Sequence, residues 1–467
     1  MAHAQQDGGD DNGGDDDGGD DDGGDDDGGD DDGGAGAPGD DDDSDADPVR
    51  RDDDRARDPV PGARAATPRR TRVVDAAPPP AFASGEIVVT NLSDGDLAAL
   101  QSEGFTVIER IGLADVAVVL HRLRVPDGLT LEQARERVRA APTGATGDFN
   151  HYYRMDDSTA IQAPDEPEQT GFVPPPPRPC THLNCASLDL IGWPLDRETL
   201  QECRVMAPVG VIDTGVNAAH ESLAGAKIEV LRLVAEEVDP SKAVHGTAVA
   251  ALLVGQVADR APGLIPEASL VAVDIFGRER GDERASVASL IAALDLLAER
   301  KVKVINLSLA GPPNAALEAA LLRLTRPDGA IVLAAAGNGG SRAEVAYPAG
   351  YPNVVAVTAV DQRGQIYRRA QRGAHIDLAA PGVEVWSATS ISGVKPKTGT
   401  SFAVPFASAA AAVLASRSPG ATPDAIAAEL RSLVRDMGAP GVDEVFGAGL
   451  LALDALCAPK ILAIQTE

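Results

Sequence analysis

Apolar and polar positions change their spacing twice along this chain of 467 residues. Nothing before Gly85 offers a face to bury, so order is expected to begin there. Glu86-Ile87-Val88-Val89-Thr90 predicts a strand, and Asp94 to Gly104 a short helix with Leu97, Ala98 and Leu100 turned inward. Thr106–Ile111 and Val116–Leu120 predict strands from their β-branched content and alternation. Thr130, with Gln133 three residues on, predicts a capping box opening a helix over Leu131–Ala140. Phe149–Tyr153 closes the series as an aromatic strand. The order βαββαβ is the split-βαβ pattern, so residues 85–155 are expected to form a small α+β, ferredoxin-like domain.

From about Leu188 the pattern changes to apolar strands alternating with helices. Val205–Ile212, Ser269–Phe276, Lys303–Leu309, Ala330–Ala335 and Val354–Val360 read as strands. His245–Val254, Ser286–Arg300, Asn314–Thr325 and Ala425–Val434 read as helices, the second with Leu290, Ile291, Leu294 and Leu297 on one face. Near-continuous apolar strands between amphipathic helices imply an α/β fold of three layers, with a central, mostly parallel sheet covered on both faces. Gly399-Thr400-Ser401 leads into the uncharged run Phe406–Leu414, which predicts a buried, Ala-rich helix. Ser401 is then expected in its first turn, where unpaired N–H groups and the helix dipole favour a developing negative charge. The plainer alternative is that Thr400 or Ser401 only caps the helix.

Charge alters this picture at one end. Residues 1–60 hold 25 Asp and four Arg, which is −21 of the chain's −31. The Gly-Gly-Asp-Asp-Asp repeat has nothing to bury and repels itself, which predicts a disordered, solvated tail with at most weak calcium binding. Residues 61–84 and 156–187 read as linkers, the second acidic and then Pro-rich, with backbone of the kind that is nicked. No basic stripe marks a nucleic-acid surface. The longest uncharged apolar runs, such as 402–416, are too short to span a bilayer. Ala2-His3-Ala4 has the small-x-small form of a signal-peptidase site, which suggests a chain starting near the end of an export signal. The four cysteines, Cys180, Cys185, Cys203 and Cys457, suggest one or two disulfides in any of three pairings. Cys180 and Cys185 with His182 between them are alternatively a loose zinc spacing, but no second ligand pair follows and no metal site is expected.

In parallel sheets, sites form beyond the carboxyl ends of the strands. Asp213 follows Val209–Ile212, His245 opens a helix as His245-Gly246-Thr247, and Ser401 opens another. Together they can form a relay in which His245 takes the serine proton and Asp213 fixes the imidazole tautomer. Asn338, in Gly337-Asn338-Gly339 past a strand end, can donate to an oxyanion together with the Ser401 N–H. Singly, each has a plainer reading as a turn cap, a structural His or a Gly-Asn-Gly turn. Their joint occurrence in the order Asp…His…Ser, with Gly and Thr beside each, favours the relay. A noncatalytic binding protein on this fold would predict a lost member of the trio, and none is lost. An α/β-hydrolase would need Gly-x-Ser-x-Gly and the order Ser…Asp…His, and the sequence has neither.

Asp213-Thr214-Gly215, His245-Gly246-Thr247-Ala248-Val249-Ala250 and Gly399-Thr400-Ser401-Phe402-Ala403-Val404-Pro405 resemble the three signature blocks of the subtilisin-like serine peptidases. The resemblance spans about residues 188–456 and includes Ile305-Asn306-Leu307-Ser308-Leu309. It implies the three-layer subtilisin-like fold over 188–460 and a zymogen whose residues 85–155 resemble the family's inhibitory pro-domain. It also implies a monomeric, exported endopeptidase that acts on proteins or peptides and requires no cofactor, with self-cleavage between about Arg154 and Cys180. Ala248, Ala251 and Phe402 depart from the usual blocks without touching a proton-transfer atom. The short segment Val254–Leu264 implies that the family's high-affinity calcium loop is missing there. By the same resemblance Ser308, Leu309 and Ala310 line one wall of the pocket for the residue before the scissile bond, with Ala346 near its floor. Two alanines where Gly is usual imply a shallow pocket for small or medium apolar side chains.

Overall fold

The computed structural model describes residues 78–155, 172–195, 203–256 and 260–457. The acidic tail, the Ala2-His3-Ala4 motif, most of the first linker and residues 156–171 of the second lie outside the described residues.

The first unit follows the expected order: β1 (Phe82–Thr90), α1 (Asp94–Ser102), β2 (Thr106–Leu113), β3 (Val118–Arg124), α2 (Leu131–Ala140) and β4 (Asp148–Tyr153). Its strands lie antiparallel in the order β2-β3-β1-β4. The capping box forms as the sequence implied: Gln133 N–H donates to Thr130 Oγ1 at 3.2 Å and Thr130 N–H donates to Gln133 Oε1 at 3.0 Å. Ile87, Val89, Leu100, Phe105, Leu123, Ala134 and Val138 make one core between sheet and helices. Ala98 is exposed, against expectation. Two residues along a helix turn about 200°, so Ala98 faces away from the stripe that buries Leu100, whereas Leu97 lies beside it.

The second unit begins with a short helix, α3 (Cys185–Leu190), and the strands β5 (Val209–Asp213), β6 (Lys227–Arg232) and β7 (Asp239–Pro240). Next come α4 (His245–Val254), β8 (Ser269–Asp274), β9 (Gly277–Glu279), β10 (Asp282–Ser286), α5 (Val287–Glu299), β11 (Val304–Leu307), α6 (Ala315–Leu324) and β12 (Ile331–Ala335). The remaining elements are β13 (Val355–Val360), β14 (Leu378–Pro381), β15 (Val385–Ala388), β16 (Val394–Lys397), α7 (Thr400–Arg417), α8 (Pro423–Ser432), β17 (Val434–Arg435) and β18 (Leu450–Leu451). The strand expected from Val205 starts at Val209 instead. Pro208 precedes it and has no N–H to give to a ladder.

Nine strands form the central sheet in the order β17-β18-β14-β13-β12-β11-β5-β8-β6. Every pair from β6 to β14, and β14 with β18, is parallel; only β17 runs against its neighbour. Val209 and Val211 face a core shared with α4 and α7. Ile212, Val271 and Val273 face the opposite core, shared with α5 and α6. Both faces of the sheet are therefore covered, which explains why its strands read as apolar without alternation. Residues 400–414 of α7 are all buried, because helix and sheet enclose it on every side.

The two units are joined by strand pairing. β4 pairs antiparallel with β10, Tyr153 opposite Ala285 and Tyr152 opposite Ser286, so the first sheet continues through β10, β9 and β7. On α5, Asp295 Oδ1 accepts the N–H groups of Asp115 and Val116, both at 2.9 Å. Disulfides link Cys180 with Cys185 and Cys203 with Cys457, the second closing a separation of 254 residues. His182 Nε2 is 3.4 Å from Cys180 Sγ, so the loose zinc spacing is occupied by a disulfide. Among the described residues no helix is long and apolar enough to cross a membrane.

Candidate active site

The chain runs from β5 to β6 and β8 on one side, then returns to β11 and onward on the other. That reversal opens a crevice at the carboxyl ends of β5 and β11. Asp213 is the last residue of β5, and Ser308 lies just past β11. Thr214 fixes the Asp213 carboxylate, donating from its N–H to Oδ1 at 2.7 Å. The Thr214 hydroxyl accepts the Gly246 N–H at 2.9 Å and so holds the start of α4 against the end of β5. A side chain at position 246 would come within 2.3 Å of the Thr214 carbonyl, so only glycine lets α4 approach this closely. The approach brings His245 Nδ1 to 2.9 Å from both Asp213 oxygens, with both side chains buried. A buried carboxylate at this distance selects the tautomer with the proton on Nδ1 and stabilises the imidazolium. The Phe402 ring packs on the imidazole, centroids 5.0 Å apart.

Ser401 is the second residue of α7. Gly399 is the N-cap, at φ 154°, and no side chain caps the helix, so the alternative in which Thr400 or Ser401 does so is not realised. Thr400 is instead bound to Asn338: its N–H and its hydroxyl donate to Asn338 Oδ1 at 2.9 and 3.0 Å. These bonds orient the Asn338 amide at the mouth of α7, and a Cβ on Gly399 would press within 3.3 Å of its Nδ2.

Pro405 has a consequence for Ser401. It lacks an N–H, so the Ser401 carbonyl, four residues earlier, has no helical donor. The Ser308 hydroxyl donates to that carbonyl at 3.0 Å, and Ser401 Oγ donates to the Ser308 carbonyl at 3.3 Å. Behind them Asn306 Nδ2 donates to Ser308 Oγ at 2.9 Å, and Ser408 Oγ donates to Asn306 Oδ1 at 3.2 Å. This buried chain of polar groups pins α7 to β11 and sets the serine's position. Asn306 and Ser408 were missed as site residues, although polar positions inside apolar runs marked them.

The remaining expected residues lie around this centre. Ser308 and Leu309 are fully buried, and Ala310 exchanges both backbone hydrogen bonds with Arg154 of the first unit at 2.9 Å. Ala346 donates its N–H to Gln371 Oε1 at 3.0 Å, and the Gln371 N–H bonds the carbonyl of Gly337, next to Asn338.

Asp274, at the end of β8, stands in register beside Asp213 and was also missed. It accepts from Phe276 N–H at 3.0 Å and from Ser241 Oγ at 3.2 Å. Burial pushes its carboxyl up to about 6, against these hydrogen bonds and Arg232. A carboxyl raised on folding contributes stability at low pH that is lost as pH rises through about 6. Asp274→Asn, made on the Ser401→Ala chain to prevent self-digestion, is therefore expected to gain about 1–3 kcal/mol at pH ~8 and less at pH ~5. Melting curves at the two pH values check this; an unchanged or lower melting temperature at pH ~8 would contradict it.

The model of the subtilase family matches residues 207–449. Subtilisin BL of Lederbergia lenta is 34% identical over 194 residues, covering 41% of this chain and 69% of that protein. Subtilisin DY of Bacillus licheniformis is 30% identical over 258 residues, covering 53% of this chain and 89% of that protein. The minor extracellular protease Epr of Bacillus subtilis (strain 168) is 28% identical over 249 residues, covering 53% of this chain and 38% of that protein. With its α/β sheet, an Asp at a strand end and a His and a Ser at helix starts, the chain belongs to the subtilase family of serine endopeptidases.

Proposed function

We propose that the chain is the zymogen of an exported, monomeric serine endopeptidase in which Ser401 attacks the peptide carbonyl. His245 takes the serine proton and returns it to the leaving amine, while Asp213 holds the imidazole. Asn338 and the Ser401 N–H hold the oxyanion; a donor of this kind is worth about 10²–10³ in turnover in subtilisin itself. The amine departs as the C–N bond breaks, and a water deprotonated by His245 then releases the acyl group from Ser401; none of these steps needs a cofactor. Calcium binding, where it occurs, is weak and off the reaction path. The observation that carries the reading is the pairing of His245 Nδ1 with both Asp213 oxygens at 2.9 Å. The two disulfides support an oxidising, exported setting.

Ser308, Leu309, Ala310 and Ala346 are read as lining the pocket before the scissile bond, which favours small or medium apolar side chains. A fluorophosphonate probe and a randomised peptide library, given to the same preparation, test this. Labelling at Ser401 and cuts after such residues are expected. No labelling would contradict the peptidase mechanism, and a profile dominated by Phe or Tyr would contradict the shallow pocket.

Residues 85–155 are read as a ferredoxin-like inhibitory pro-domain. Its last described residues support this, since Arg154 pairs with Ala310 beside the Ser308–Ser401 contact. His151 gives the inhibition a pH dependence. His151 accepts a hydrogen bond on Nδ1 from Asn314 Nδ2 at 2.9 Å, which only an unprotonated nitrogen can do. Burial lowers its pKa below 6.5, with Arg135 adding to this and Asp148 opposing. A group neutral in the docked state loses that advantage as pH falls below 6.5, so docking is full above that value and weakens beneath it. After processing, the pro-domain is expected to co-elute with the enzyme at pH ~7.5 and to separate at pH ~5. Co-elution at both would contradict the histidine account.

A further inference from the structure

The strand that leads from the first unit into the crevice carries more than a backbone. Tyr153 is fully buried against Gly311, where a Cβ would stand 2.5 Å from its ring, and its hydroxyl donates to the Pro312 carbonyl at 2.8 Å. Arg154, the next residue, turns to the other face of the strand. Its backbone pairs with Ala310 in both directions. Its guanidinium binds Asp282 of β10 in a fork, Nε to Oδ1 at 2.8 Å and Nη2 to Oδ2 at 2.7 Å. A third donation goes to the Pro80 carbonyl.

Asp282 belongs to the catalytic unit, and so do the other charges on this face. Arg284 donates from Nη1 to Asp282 Oδ2 at 2.9 Å, pairs with Glu279, and lies 4.1 Å over the Tyr152 ring. Asp282, Glu279 and Arg284 leave one negative charge in excess, and Arg154 neutralises it. The bonds from Arg154 are the largest influence holding the Asp282 carboxyl below its ordinary range. When the first unit leaves, this excess negative charge remains beside the strand that binds a peptide.

We propose that Asp282 forms a subsite for a basic side chain, selecting substrates with arginine, and less strongly lysine, at the position Arg154 occupies. This rests on the peptidase reading above. Ser401 is bonded to Ser308, two positions before Ala310 on the antiparallel partner of Arg154. The basic residue is therefore expected about two residues before the one whose carbonyl is attacked. A planar fork favours Arg over Lys, because both carboxylate oxygens are met at once.

The test uses the processed full chain and quenched peptides copying residues 150–159 with Ala in place of Asp156 and Asp157, to suit the apolar pocket, and with Arg, Lys, Ala or Glu at the Arg154 position. The kcat/KM order is expected to be Arg, Lys, Ala, Glu, with Arg about tenfold above Ala. In Asp282→Asn the Arg-to-Ala ratio is expected to fall to about two, and Asp282→Arg is expected to favour the Glu peptide. Equal rates across the panel in the wild type, or an unchanged ratio in Asp282→Asn, would overturn the subsite. So would an enzyme that takes the fluorophosphonate at Ser401 yet cuts no member of the panel. Absence of both labelling and cleavage would overturn the peptidase reading itself, and the subsite with it.

Discussion

Ser401→Ala is expected to lower kcat on a good peptide substrate about 10⁶-fold, the size known for the nucleophile of subtilisin itself. The residue's setting explains why nothing nearby can substitute. Ser401 lies at the start of a helix whose N-cap is a glycine with no capping side chain, so no second hydroxyl occupies its place. Thr400, its neighbour, has its hydroxyl bound to Asn338 Oδ1 and to the Gly337 N–H at 3.2 Å. The variant keeps Asn338 and the helix N-terminus, so a residual rate about 10³–10⁴ above water is expected to survive. Steady-state kinetics on purified, properly folded protein check this, and a loss of under about a hundredfold would contradict the nucleophile assignment.

Asp213→Asn is expected to cost about 10⁴ in kcat with little change in KM. An amide at this position can still accept from the Thr214 N–H, so the turn after β5 should persist. What changes is the proton. The carboxylate accepts from His245 Nδ1, leaving Nε2 to act as base, whereas an amide nitrogen donates toward Nδ1 and favours the opposite tautomer. Part of the lost rate is expected to return at high pH, where hydroxide can take the serine proton directly. A variant with more than about a tenth of wild-type kcat at pH ~8 would show that Asp213 is not the orienting group.

Local chemistry made much of the architecture legible. The capping box at Thr130 and Gln133 needs only four consecutive residues, and α2 and α4 have the bounds read from the sequence. The buried faces of α5 followed from the spacing of Leu290, Ile291, Leu294 and Leu297, all fully buried. The proposed trio of Asp213, His245 and Ser401 could be picked out because each lies where an element ends or begins, and such places leave local signals in Gly and Thr. Contacts between distant segments were not legible. Cys203 and Cys457 pair across most of the second unit, and no spacing rule reports a distance in space. The meeting of Tyr153 with Ala285, and of Arg154 with Asp282, depends on docking between units. Asp274 ended an apolar strand as one more polar boundary residue; only the register beside Asp213 gives it significance. Ala98 was misjudged because alanine is compatible with either face of a helix.

The proposed shallow pocket and the proposed pro-domain make different demands on the first cut. A cut about two residues beyond Arg154 falls in an acidic stretch, Asp156-Asp157, which does not suit an apolar pocket. Cleavage within one chain tolerates this, because the strand is held in the cleft at high effective concentration and needs to react only once. The library profile of the free enzyme and the site of self-cleavage are therefore expected to differ.

The most direct test is the intact mass of the wild-type full chain beside Ser401→Ala, after identical expression and incubation. The wild type is expected to lose its N-terminal portion by a cut between Arg154 and Cys180, within a few residues of Arg154. Ser401→Ala is expected to keep its full mass. Equal masses for the two, with no fluorophosphonate labelling of the wild type, would contradict a self-processing serine peptidase.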